Sequence, residues 1–203
     1  MSDLKISKNI KLVCWDFDKT ILNYHTGGVV LIDKDIMNEQ MRFLSEKISS
    51  KFVEQFVYFF KKGVKQVVVT FGDSIDNTEF DNSNSCKMSG DRLLKKVFET
   101  YIQTSVLLNE EEKKALVEIP VFGFYPPLRQ KIAETESERQ IWLSNNNKNV
   151  HLQMAMDLFE TKEKSEVLLI DDCIKNINQA ESQGYNVFHV SDSCYSSFLE
   201  LQE

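Results

Sequence analysis

Short segments apolar at every position, spaced by longer stretches of helical periodicity, set the tightest constraint on how this chain folds. KLVCWD (11–16) is such a segment, and its apolar run stops abruptly at an acid. QVVVT (66–70) and EVLLIDD (166–172) repeat the form. A strand apolar on both faces needs cover on both, as in a parallel sheet between helical layers. After the first strand, Met41, Leu44, Ile48, Phe52, Phe56 and Phe60 recur at three- or four-residue steps. They predict one helix from about Asp35 to Lys62, with Asp35 in its cap region. Gly63 stands where a helix end favours a left-handed residue.

Further along, Leu94, Val97, Phe98 and Tyr101 give Asp91 to about Gln103 one apolar helical face. Helices are also predicted at about Val150 to Phe159 and at Ile174 to Gln183, the latter stopped by Gly184. IPVFGF, Ile119 to Phe124, is a strand candidate closed by Pro126-Pro127, and NVFHV, Asn186 to Val190, is the last strand. A short C-terminal helix is expected after it. Gly27-Gly28 separates two β-prone pieces, which reads as a loop or small hairpin. Residues 71–90, rich in Ser, Asn and Asp, read as a polar loop or insert. This alternation predicts an α/β three-layer sandwich with a mainly parallel, Rossmann-like central sheet.

Length and charge narrow the setting. A chain of 203 residues fills one core, and a single domain over 1–203 is expected. The net charge of -7 disfavours a broad nucleic-acid or anionic-membrane footprint. No apolar run approaches the roughly 20 residues that cross a bilayer. The first residues, MSDLKISKN, lack the apolar core of a secretory signal. Cys14, Cys86, Cys173 and Cys194 are scattered and read as reduced thiols, so a cytoplasmic location is expected.

In open parallel sheets, ligands bind beyond the carboxyl ends of the strands. Here three strands end in functional groups: Asp16 and Asp18, then Thr70, then Asp171 and Asp172. Carboxylates gathered in one small volume repel unless a cation or a proton lies between them. A hard divalent ion that prefers oxygen ligands, such as Mg²⁺, answers that requirement. His25, His151 and His189 show no metal-ligand grouping, and His189 reads as a core or rim residue. Tyr58 and Phe59 lie off the helical stripe and are available to a partner.

WDFDKTI resembles the first motif, DxDx(T/V), of the haloacid dehalogenase-like superfamily of phosphohydrolases. The family's other motifs find counterparts in order: Thr70 ending VVVT, Lys148 ahead of the 150–159 helix, and Asp171, Asp172 and Asn176 in LLIDDCIKNI. The resemblance covers about residues 11–70 and 148–190. It implies that Asp16 attacks phosphorus to form an aspartyl-phosphate, and that Asp18 protonates the leaving oxygen and then activates water. It also implies a Mg²⁺ site of Asp16, the Asp18 main-chain carbonyl, Asp171 and Asp172, supported by Asn176. Thr70 and Lys148 would hold the phosphoryl oxygens. An Asp at the second position is typical of the family's phosphatases rather than its dehalogenases. The family's frequent proline after the lysine is Asn149 here, and Lys87, Lys162 and Lys164 are rivals for that role. Asn176 also fits a helix surface. Gly72 and Asp73 either line the site or form a turn.

Family members select substrates through cap inserts after the first or second strand, and little chain is left here for one. A minimally capped, open site is expected, admitting a bulky phosphate ester, either a small molecule or a phosphoprotein. The leading expectation is a Mg²⁺-dependent phosphomonoesterase. The alternatives are a phosphotransferase or phosphomutase with the same aspartate, and a binding module that kept the fold without the activity.

Overall fold

The computed structural model describes residues 9–80, 84–144 and 147–191. Its centre is a sheet of β1 (Leu12–Trp15), β3 (Lys65–Thr70), β5 (Val121–Gly123), β6 (Val167–Asp171) and β7 (Asn186–His189). The spatial order is β5-β3-β1-β6-β7, and every pairing is parallel. A second, two-stranded antiparallel ribbon pairs β2 (Val29–Asp33) with β4 (Ser85–Ser89). The helices are α1 (Met37–Ser45), α2 (Ser50–Lys61), α3 (Gly90–Thr104), α4 (Glu110–Val117), α5 (Pro126–Ile132), α6 (Glu136–Ser144), α7 (Asn149–Leu158) and α8 (Ile174–Ser182). The fold is therefore α/β with a parallel central sheet flanked by helices, compatible with a Rossmann-like three-layer arrangement.

Side-chain alternation along the strands builds two separate cores. Val13, Trp15, Val68, Leu168 and Ile170 face one side and pack with Phe52, Phe56, Leu94 and Phe98. Leu12, Cys14, Val67, Val69, Val167 and Leu169 face the other and pack with Leu152, Ala155, Ile177 and Ala180. β1, β3 and β6 are thus buried on both faces, which is why their sequences show no polar alternation. Trp15 puts its ring edge-on to Phe52, with centroids 5.1 Å apart. Its indole N–H donates to Gln66 Oε1 at 3.0 Å, and the Gln66 amide donates to the Phe56 carbonyl at 3.0 Å. The polar atom of the largest core ring is thereby satisfied without water.

Several expectations need correction. The helix expected over 35–62 is two helices, broken at 46–49. There the chain becomes a backbone partner for the segment after β1: Ser49 N donates to Ile21 O at 2.8 Å and Asn23 N to Lys47 O at 2.7 Å. Buried main-chain groups demand partners, and that demand outweighs continued helical periodicity. Residues 85–89 lie in the segment expected as loop, yet Cys86 and Met88 point inward while Lys87 points out, a strand's period of two. Their partner is β2, so Gly27-Gly28 does not turn a local hairpin. Pro126-Pro127 opens α5 instead of merely closing a strand, because proline suits the first helical turn. α4 carries a full capping box between Asn109 and Glu112, a signal present in the sequence. Phe59 is buried against Trp15 rather than available to a partner, whereas Tyr58 is half-buried. No helix among the described residues is long and apolar enough to cross a membrane. Cys14, Cys86 and Cys173 are free thiols. Cys194 and the expected C-terminal helix lie outside the described residues.

Main chains meet directly beside the β3 terminus. A Cβ on Gly123 would lie 2.6 Å from Gly72 O and 2.9 Å from Gly90 Cα, and one on Gly72 would lie 2.7 Å from Gly28 O. These atoms are backbone and cannot swing aside. Gly123→Ala should therefore destabilise the fold by about 2–3 kcal/mol, read as a lower urea midpoint at unchanged slope.

Candidate active site

The carboxyl ends of β1, β3 and β6 converge on a cavity of about 340 Å³. β1 delivers Asp16, whose N–H donates to Ile170 O at 2.9 Å, extending the parallel ladder to the functional residue. The chain then turns through 17–21, with Lys19 at φ 58. A left-handed lysine costs about 1–2 kcal/mol, and the turn places Asp18 beside Asp16 on the cavity wall.

Lys148, immediately ahead of α7, is the centre of the site and is only 2 % exposed. Its ammonium bonds Asp16 Oδ1 directly and lies 2.9 Å from Asp171 Oδ2. Asp171 is further held by Cys173 N at 2.7 Å and by the Asn176 amide at 3.1 and 3.3 Å. Asn176 is buried by this contact and is not a helix-surface residue. Asp16, Asp171 and Asp172 each offer an oxygen within 4.8 Å of the others, so the cluster could hold a metal ion. Of the rival lysines, Lys87 and Lys162 are exposed, and Lys164 sits over the Tyr185 ring.

The electrostatics follow from burial. Desolvation pushes Asp16 upward, and Asp171 and Asp172 add to that, while Lys148 pulls it back down. Burial alone would lower Lys148, but the two facing carboxylates outweigh it and hold the amine above its ordinary value. Asp172, half-buried, is raised by desolvation and by Asp171. Three carboxylates and one ammonium carry a formal charge of about -2 when ionised, which suits one divalent cation bound through oxygen.

Asp18 also borders the cavity, but its carboxylate is not in the cluster. Its Oδ1 accepts from Thr26 N at 3.0 Å and from the Thr26 hydroxyl at 2.7 Å. Its Oδ2 accepts from Gly27 N at 3.0 Å and lies 3.1 Å from His25 Nδ1. Thr70, buried, ends β3 beside the cavity, and its hydroxyl accepts from Gly72 N at 3.2 Å. Gly72 lines the cavity with Gly27 and Gly28.

Three further residues organise this site. His151, one turn into α7, is fully buried, with Nε2 3.1 Å from both Thr70 O and Phe124 O. Desolvation and the nearby Lys148 push it down to about 3, so it is neutral and Nε2–H is the donor. It ties the helix carrying Lys148 to the ends of β3 and β5. Asp73, also fully buried, turns away from the cavity: Oδ2 accepts from Tyr125 N at 2.9 Å and Arg129 Nε at 2.8 Å, and Oδ1 from Arg129 Nη2 at 2.6 Å. Asp73 therefore anchors α5 to the turn after Thr70. The spacing of 56 residues between Asp73 and Arg129 hid this pair in the sequence. His189 is half-buried and meets Asp172 O at 2.8 Å, a rim position.

No protein-family model matches the chain, and comparison with curated proteins finds no match.

The Asp73 clamp makes a prediction in acid. Burial alone would raise this carboxyl, but Arg129 and the N–H groups of Tyr125 and Ile75 outweigh it and hold it below its ordinary value. Its stabilisation is thus complete above the unfolded pKa of about 4 and is lost as pH falls through the lower folded value. Asp73→Asn should remove about 2–4 kcal/mol at neutral pH, and its gap from the parent protein should narrow below about pH 4 in urea titrations. A gap independent of pH would refute the assignment.

Proposed function

We propose that this protein is a Mg²⁺-dependent phosphomonoesterase of the haloacid dehalogenase-like type, with Asp16 as the nucleophile. The observation that carries the reading is the buried ammonium of Lys148 joining Asp16 to Asp171 at the ends of adjacent strands. That contact brings together positions 16, 148 and 171, which the motif resemblance assigned to one site. The strand order, with β1 between β3 and β6, agrees with the same reading.

The donor set fits magnesium: Asp16, Asp171 and Asp172 are hard oxygen ligands, and their charge exceeds what Lys148 neutralises. When bound, the ion would supply charge neutralisation at the transferring phosphoryl group. The residues do the rest. Lys148 holds Asp16 through Oδ1, and Asp16 lines the cavity. The Asp16 carboxylate forms a bond to phosphorus while the ester oxygen departs with its electron pair. Asp18, fixed by the 24–28 loop on the cavity wall, passes a proton to that oxygen and then takes one from the water that cleaves the acyl-phosphate. Thr70 and the Gly72 region receive the non-bridging oxygens, with Lys148 contributing positive charge.

Asp16→Asn should lower Mg²⁺-dependent hydrolysis of p-nitrophenyl phosphate by at least about 10³-fold, and Thr70→Val by roughly 10–10²-fold. Asp16→Asn protein that keeps parental turnover would eliminate this mechanism. Chelation with EDTA should abolish turnover in the parent protein, and added Mg²⁺ should restore it.

A further inference from the structure

Lys19 takes no part in the chemistry proposed above, yet it borders the catalytic cavity. Among the described residues lining that cavity it is the only lysine or arginine. It is exposed, and its ammonium makes no ion pair with any described residue. Its charge is nonetheless felt inside, where it works against the upward push that burial and Asp171 give the Asp172 carboxyl. The ammonium therefore lies near the acidic cluster without being bonded to it. The backbone beneath it is strained. Lys19 has φ 58, a conformation that glycine adopts freely and lysine does not, and its N–H donates to the Tyr24 carbonyl at 3.0 Å. Strain of this kind gathers at functional sites, where the surroundings impose it. A lysine held there sets a long cationic side chain on the turn that delivers Asp18.

We propose that Lys19 is a specificity-determining residue that holds a carboxylate on the alcohol part of the phosphate ester. The inference rests on the phosphomonoesterase reading and names its substrate class. In that reading Asp18 serves the leaving oxygen, so the alcohol attached to it lies within reach of Asp18. Lys19 follows Asp18 in the chain and borders the same cavity. The other basic group on that wall, His25, is already engaged by Asp18 Oδ2 at 3.1 Å. The acidic cluster does not need the Lys19 charge, since Lys148 and one divalent ion together balance Asp16, Asp171 and Asp172. A single ammonium matches a single negative charge, which suits a carboxylate better than a second phosphate. The cavity of about 340 Å³ is at the small end of ligand pockets, about 300–1,000 Å³, so a short alcohol fits.

The test compares kcat/KM for carboxymethyl phosphate and ethyl phosphate, which differ by the carboxylate, with Mg²⁺ and the full chain. The parent protein should favour the carboxylate ester. Lys19→Gln should lower the carboxymethyl-to-ethyl ratio about tenfold, mainly by raising KM for the carboxylate ester. Lys19→Arg, which keeps the charge, should hold the ratio within about threefold of the parent. Lys19→Gly suits the left-handed turn, so it carries the same expectation as Lys19→Gln should that variant fail to fold. A parent without the preference, or a ratio within about twofold of the parent in Lys19→Gln and Lys19→Gly, overturns the Lys19 assignment alone. Asp16-dependent hydrolysis of p-nitrophenyl phosphate with turnover of neither alkyl ester also overturns it and leaves the catalytic reading standing. Absence of Asp16-dependent hydrolysis of all three esters overturns the catalytic reading and this inference with it.

Discussion

The contact of Lys148 with Asp16 and Asp171 is the constraint around which the upper edge of the sheet is organised. An ammonium with 2 % exposure cannot be left without counter-charges, since an isolated buried ion costs several kcal/mol. The two aspartates are equally bound to it, because carboxylates facing one another across adjacent strands would repel without it. Residues from positions 16, 148 and 171 therefore satisfy one another and fix how α7 approaches the sheet. Asn176 and Cys173 N hold Asp171 from behind, and His151 carries the same helix's alignment to Thr70. The polar edge is one connected network rather than a set of separate side chains.

Beneath that network, the sheet supplies rigidity. Both faces of β1, β3 and β6 are covered, and Trp15 resolves its buried N–H internally through Gln66. A close-packed core resists displacement. The strand ends thus hold Asp16, Thr70 and Asp171 in fixed relative positions, while Asp18, on the loop side, depends on the hydrogen bonds of residues 25–27. Two carboxylates separated by one residue are consequently placed in different surroundings: Asp16 against an ammonium, Asp18 among neutral donors and an imidazole.

Much of this was legible in the sequence because the signals are local. A run such as VLLID declares a strand buried on both faces, and the polar residue that ends it marks where ligands bind. The convergence of Asp16, Thr70, Asp171 and Asp172 could be anticipated from strand ends, whereas Lys148 was singled out only by the motif resemblance. What escaped depends on distant partners. The helix break at 46–49 is dictated by the backbone needs of 21–23, and β4 is a strand because β2 pairs with it across more than fifty residues. The Asp73–Arg129 pair is the same kind of case: neither residue announces the other. The capping box at Asn109 and the alternation at 85–89, by contrast, were present as local patterns. The polar composition around β4 obscured its period of two.

The strand order has a consequence for biogenesis. β1 is made well before one of its two neighbours: β6 begins at Val167, paired with Leu12. During synthesis β1 can settle against β3 early, but its other edge stays open until β6 has left the ribosome. Closing so long a loop costs conformational entropy before the pairing returns any stability. The anionic cluster is spared that interval, because Asp171 and Asp172 reach Asp16 only after Lys148 has already emerged.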